Sequence, residues 1–139
     1  MSFESATETS GSTADQAGLS RHDCILDVGV LSAFDKVKSD DGSNLVIALI
    51  DLYLKAAADR IQQIRVAGKE EDLVSLRKTA HTFKGSSSTL GLQRMARACE
   101  ELERLETHSP RTTKLIESMQ RRFVEAREAL LTERNRRLE

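Results

Sequence analysis

The sequence predicts an all-α protein: an antiparallel four-helix bundle with a short additional N-terminal helix capping one end. Three observations carry this. Apolar residues recur every three or four positions along four long stretches, so each stretch is apolar on one stripe only. Such stripes are buried most simply against one another in a bundle. The chain has a single proline among 139 residues, 4% aromatics and no tryptophan, a composition that leans towards helices. No segment alternates apolar and polar residues as a half-buried strand would, and no repeat is visible. At this length there is material for one core and not for two.

Residues 1–22 are rich in Ser, Thr, Gly and Glu and almost devoid of apolar side chains. They are expected to form a disordered tail, leaving 23–139 as the folded domain. The stretch "ILDVGVLSAFDKV" reads as a short amphipathic helix with Gly29 as its weak point, ended by the turn formers "SDDGS" at 39–43. A long helix over roughly 44–67 follows, its stripe made by Val46, Ile50, Tyr53, Ala57, Ile61 and Ile64. Gly68 is expected to close it. A third helix starts near Glu70, carries Leu73, Leu76, Ala80 and Phe83, and is expected to loosen across "GSSSTLG". A fourth places Leu92, Met95, Cys99 and Leu102 on one face. Ser109 and Pro110 form an N-cap and first-turn pair for the last helix. That helix carries Leu115, Met119, Phe123, Ala126 and Leu130 and is expected to fray into "TERNRRLE".

Several classes of function are disfavoured by bulk properties. With 21 basic and 22 acidic residues the formal net charge is −1. Neither nucleic acid nor a membrane surface is therefore expected as a partner. No apolar run approaches the roughly 20 residues of a spanning helix. The N-terminus lacks the basic and apolar regions of a signal peptide, and a cytoplasmic location is expected. Cys24 and Cys99 lie far apart without metal or redox spacing, and Cys99 is expected in the core. His22, His81, His108 and the cysteines place no two ligands on one helical face, so no metal site is expected.

The informative stretch is "AHTFKGSSSTLGLQRMARACEELE", residues 80–103. At about 100° per residue, His81 lies about 120° from the centre of its helix's apolar stripe, outside the core. Gly85 is one turn on, beside His81 on the same surface. Glycine inside a helix costs about 0.5–1 kcal/mol relative to alanine. An absent side chain there clears the approach to the imidazole; the plainer alternative is a helix end helped by Ser86 to Ser88. Lys84 lies between the core edge and His81, where its ammonium can reach an anion held at the ring. Taken alone it reads equally as a solvated lysine.

A histidine, an adjacent cation and open access suit an imidazole nitrogen that accepts a phosphoryl group. Histidine's ordinary pKa near 6.5 leaves it largely neutral in a cytoplasm, so no separate general base is needed. The product would be nearly dianionic, and Lys84 would stabilise it. The second ring nitrogen needs a partner that fixes the tautomer. Glu103 is the candidate: it flanks Leu102 at the edge of the fourth helix's stripe. There it would accept from Nδ1–H and leave Nε2 as the nucleophile. An ordinary exposed glutamate in the run "EELERLE" is the equal alternative.

These residues closely resemble the signature of histidine-containing phosphotransfer (HPt) domains, including the yeast-type members. The features are His81, Lys84 and Gly85 as H-x-x-K-G, the small-residue stretch, Gly91 leading the next helix, and a polar residue near that helix's end at Glu103. The stretches "ILDVGVLSAF" and "LIDLYLKAAADRI" are also similar, so the resemblance spans about 23–135. It implies a four-helix bundle that shuttles phosphate between receiver domains of a hybrid histidine kinase and a response regulator in a multistep phosphorelay. His81 Nε2 would take the group from an aspartyl-phosphate and pass it to another aspartate. Mg²⁺ would sit on the receiver, so this chain would need no cofactor of its own. Glu103 departs from the glutamine of several members. The docking face is expected around His81, with Thr82, Ser88, Arg77 and Lys78 and apolar edges of the second and third helices. A mostly polar exterior favours a monomer.

Two rival readings share the bundle. One is a degenerate receiver-binding adaptor that carries no phosphate; the intact His81, Lys84 and Gly85 argue against it. The other is an isolated phosphoacceptor module of a chemotaxis-type histidine kinase. No Gly-rich ATP-binding loop appears in the sequence, so the chain is expected to be a phosphotransfer intermediate without kinase activity of its own.

Overall fold

The computed structural model describes residues 24–36 and 44–138. The expected tail at 1–22 and the turn at 39–43 lie outside the described residues. Within them, regular structure is entirely helical: α1 (Val28–Ala33) with a 3₁₀ turn at Phe34–Lys36, α2 (Leu45–Lys69), α3 (Leu73–Thr89), α4 (Gln93–Glu103) and α5 (Pro110–Leu138). The connections at 70–72, 90–92 and 104–109 are short, which makes successive long helices antiparallel. α2 and α4 each pack against both α3 and α5, giving the expected four-helix bundle.

Local chemistry sets the helix starts. Asn44 Oδ1 accepts from the N–H groups of Val46 and Ile47 at 2.9 and 3.3 Å, opening α2. Asp72 Oδ1 accepts from Ser75 N–H at 3.1 Å, opening α3. At α5 the cap is reciprocal: Ser109 Oγ accepts from Arg111 N–H, and Thr112 Oγ1 accepts from Ser109 N–H, both at 3.2 Å. The start of α4 has no side-chain cap. Its Arg94 N–H donates instead to the Cys24 carbonyl at 3.0 Å, while Asp27 N–H donates to the Gly91 carbonyl at 2.8 Å. These two bonds pin the segment before α1 across the α3–α4 junction. Leu31 is then buried, and α1 caps that end of the bundle.

The core is the set of inward stripes: Val46, Ile50, Tyr53, Ala57 and Ile64 from α2, Leu76, Ala80 and Phe83 from α3, Met95, Cys99 and Leu102 from α4, and Ile116, Met119, Ala126 and Leu130 from α5. Phe83 is central. Its ring lies 5.9 Å from Tyr53 and 6.4 Å from Phe123, both tilted contacts. Burial pushes the Cys99 thiol up to about 12, as for a packing residue rather than a reactive one.

Four local expectations are corrected. α3 begins at Leu73 after the Asp72 cap rather than near Glu70. It does not loosen over "GSSSTLG" but continues to Thr89, because the hydroxyls find partners compatible with a helix. Ser86 Oγ donates to the Phe83 carbonyl and Thr89 Oγ1 to the Gly85 carbonyl, at 3.2 and 3.0 Å. Ser87 turns into the core, 2.8 Å from the Tyr53 hydroxyl.

Gly68 does not close α2. The left-handed position belongs to Glu71 (φ +56°), where Glu71 N–H reaches the Gly68 carbonyl and Asp72 N–H the Ala67 carbonyl. Gly68 lies within the helix, where a Cβ would come 2.5 Å from Ile116 Cδ1, so its role is close packing of α2 on α5. The analogous turn after α3 does use glycine: Gly91 has φ +80°, with Gly91 N–H and Leu92 N–H returning to the carbonyls of Ser88 and Ser87. Finally, α5 does not fray at "TERNRRLE". Arg134 reaches Asp51 of α2 at 2.7 Å and Arg137 reaches Asp35 at 2.7 Å, holding the helix to Leu138.

Candidate functional site

His81 is near the middle of α3, and its side chain is 67% exposed. Its outward position follows from the register of the α3 stripe: Ala80 and Phe83 are fully buried, so His81 and Thr82 between them face solvent. Nδ1 lies 2.5 Å from Glu103 Oε2, across the α3–α4 contact. The other oxygen, Oε1, lies 2.6 Å from Lys84 Nζ. One carboxylate at the end of α4 therefore joins two basic side chains from successive turns of α3.

The electrostatics define proton positions. The Lys84 ammonium holds the Glu103 carboxyl below the usual carboxylate range, burial opposes it to a lesser extent, and His81 adds a smaller lowering effect. An ionised carboxylate only accepts hydrogen bonds, so the shared proton belongs on Nδ1. A neutral ring bound in this way keeps its lone pair on Nε2. Gly85 borders the ring along α3, and a Cβ built there meets nothing within 4 Å. The imidazole thus has a fixed back, an open front and an unobstructed side.

The remaining expected site residues are distributed over the same face with different engagements. Lys78 and Thr82 are exposed, with Thr82 Oγ1 donating back to the Lys78 carbonyl at 3.3 Å. Together they line one wall of a groove whose other wall is Ala56, Asp59 and Gln63 of α2. Ser88 is exposed and borders the α3–α4 groove with Lys84, Ala96 and Arg97. Arg77 is also exposed, but its Nε donates to the backbone carbonyl of Glu103 at 3.1 Å. Among apolar edges, Val74 of α3 is 79% exposed, two turns before His81 on its face, and Val66 of α2 is 41% exposed.

Sequence reasoning missed two features. Lys84 is engaged by Glu103 rather than waiting beside the ring, a pairing between helices that spacing within one helix does not reveal. The α2 wall of the α2–α3 groove was also unnamed, although Asp59 and Gln63 lie off the α2 stripe and so face outward. Among the described residues no three His, Cys, Asp or Glu side chains come together to hold a metal. No helix among them is long and apolar enough to cross a membrane.

The Hpt domain family model matches residues 48–136. The chain belongs to the Hpt domain family. It is similar to the phosphorelay intermediate protein YPD1 of Saccharomyces cerevisiae, with 34% identity over 91 residues, 63% of this chain and 53% of that protein. It is also similar to multistep phosphorelay regulator 1 of Schizosaccharomyces pombe, 28% identical over 79 residues, 57% of this chain and 27% of that protein. The chain thus spans about half the length of the first relative and about a quarter of the second. Among solved structures, histidine-containing phosphotransfer protein B (HptB) from Pseudomonas aeruginosa PAO1 superposes with a TM-score of 0.72 at 33% identity. That match covers 82% of this chain and 97% of HptB. In this Hpt domain the site face is made by α3 and the end of α4, while the segment before α1 is bonded across the α3–α4 junction at Gly91 and Arg94.

Proposed function

We propose that this protein is a histidine phosphotransfer intermediate of a multistep phosphorelay, carrying the phosphoryl group on His81 Nε2. The single observation that carries the reading is the exposed imidazole whose Nδ1 is held 2.5 Å from the Glu103 carboxylate. The partners are receiver domains, one of a hybrid kinase and one of a response regulator. In the forward step Nε2 attacks the phosphorus of a receiver's aspartyl-phosphate. An N–P bond forms, the P–O bond to the aspartate breaks, and the aspartate leaves as its carboxylate. The ring becomes cationic with Nδ1–H retained, and Glu103 stabilises that charge; in the return step the same events run in reverse.

Phosphoryl transfer asks mainly for alignment and charge neutralisation, so a sparse site is sufficient. Lys84 supplies the neutralising charge by turning from Glu103 Oε1 towards the transferred group. The receiver supplies whatever metal the step uses, and the chain acts without a kinase site, in the cytoplasm and as a monomer. Incubation with a receiver domain bearing labelled aspartyl-phosphate tests this. The expected result is acid-labile, alkali-stable label on the wild-type chain and none on His81→Gln, whose circular dichroism is unchanged. Equal labelling of His81→Gln, or no uptake by the wild type from any of the host's receivers, would contradict it.

A further inference from the structure

Three residues of one α3 stripe converge on Glu103, not two. His81 and Lys84 meet its carboxylate, and Arg77, one turn before His81, meets its backbone carbonyl at 3.1 Å through Nε. Glu103 is the last residue of α4, and the chain turns away from Arg104 onward. The final carbonyls of a helix lack partners within it, and the last turn is where a helix frays. A cation at that end also meets the favourable side of the helix dipole. The site therefore hangs its orienting carboxylate on the last turn of α4, while requiring that carboxylate to stay 2.5 Å from a ring on another helix. A displacement of about 1 Å is enough to impair alignment of reacting groups.

We infer that Arg77 is a positioning residue that acts through Glu103: its guanidinium ties the end of α4 to α3 and so fixes the carboxylate against His81 Nδ1. The inference rests on the phosphotransfer reading of His81 for its kinetic consequence but not for its structural one. A planar guanidinium with several fixed donors suits this tie better than a flexible ammonium. It also gives Arg77 a role distinct from Lys78 and Thr82, which face the α2–α3 groove.

Two measurements on the full chain test it. The first is the His81 Nδ1–H proton by NMR, which needs no phosphate. In the wild type it is expected as a low-field, exchange-protected signal; in Arg77→Ala it broadens away while the thermal midpoint and helix content hold. The second is the transfer rate from a phosphorylated receiver. Arg77→Ala is expected to slow it about tenfold, the lower end of what losing an outer partner costs. Arg77→Lys, which keeps a donor, recovers part of the loss. In a Glu103→Ala background, Arg77→Ala adds nothing further, because the carboxylate that the tie positions is gone. The same tenfold loss in the Glu103→Ala background would make Arg77 a docking contact and overturn the inference. An unchanged Nδ1–H signal in Arg77→Ala would overturn it as well. A wild-type chain that takes up no phosphate would remove the phosphotransfer reading, while the NMR signal would still decide the tie.

Discussion

Two glutamates in this molecule do the same electrostatic task with opposite consequences. Glu103 joins His81 and Lys84 on the face of α3; Glu133 joins Arg136 and Arg137 one turn further along α5, with Arg137 continuing to Asp35. Both carboxyls are held below their usual range, Glu103 first by Lys84 and Glu133 first by Arg136. The difference lies in the partners. Glu133 and Arg137 are nearly enclosed, and guanidinium groups do not lose their protons, so the cluster can only fasten α5 to the turn before α2. At Glu103 one partner is an exposed imidazole, which has a lone pair to offer. On the proposed function, a carboxylate with two bases is thus a brace in one place and part of the phosphoacceptor site in the other, the difference being exposure and whether a partner can act as a nucleophile.

Removing each glutamate separates the two roles. Glu103→Ala should lower phosphotransfer by about 10–100-fold, as loss of an orienting partner does, with little change in thermal midpoint. A normal rate in that variant would reduce Glu103 to a surface residue. Glu133→Ala should do the reverse, costing about 2 kcal/mol in chemical denaturation and leaving transfer by the folded protein intact. That figure is below the cost of breaking a fully buried pair because Arg137 keeps Asp35.

The same contrast has a pH signature. A carboxyl whose folded pKa lies below its ordinary 4.5 contributes stability that is complete above 4.5 and disappears as pH falls through the lower folded value. Glu133→Gln should therefore flatten the loss of stability below about pH 4.5. An acid limb identical to the wild type would show that the α5 cluster adds nothing.

Gly85 sharpens the comparison on the access side. Since no atom lies within 4 Å of a Cβ there, Gly85→Ala should stabilise α3 by about 0.5–1 kcal/mol. Gly85→Gln should fold and yet bind a receiver about tenfold less tightly, a difference of about 1.4 kcal/mol read by titration calorimetry. Unaltered affinity would leave the glycine without a purpose. The smallest effect is expected for Lys84→Ala, a two- to fivefold slower transfer or shorter phosphohistidine lifetime, about the scale of a surface ion pair whose side chains are half-buried.

What the sequence disclosed was whatever one helix's period determines. The stripes of α2 to α5 name the core, and the same arithmetic puts His81 outside and Gly85 beside it. It also carried the Ser109–Pro110 start of α5, because a cap is local. What stayed hidden depends on the neighbouring helix. Serines 86 to 88 look like a break until Tyr53 is seen to receive Ser87. Gly68 looks like a terminus until Ile116 is seen to press on it. "TERNRRLE" looks frayed until Asp51 and Asp35 meet its arginines. Arg77 looks like a free basic side chain until α4 ends beneath it.

The most direct test of the central claim is the position of the phosphoryl group on the ring. Proton–nitrogen correlation spectra of the ¹⁵N-labelled, phosphorylated chain distinguish the two ring nitrogens. The N–P bond is expected at Nε2 of His81 with Nδ1 still protonated. Phosphate on Nδ1, or on any other residue, would contradict it.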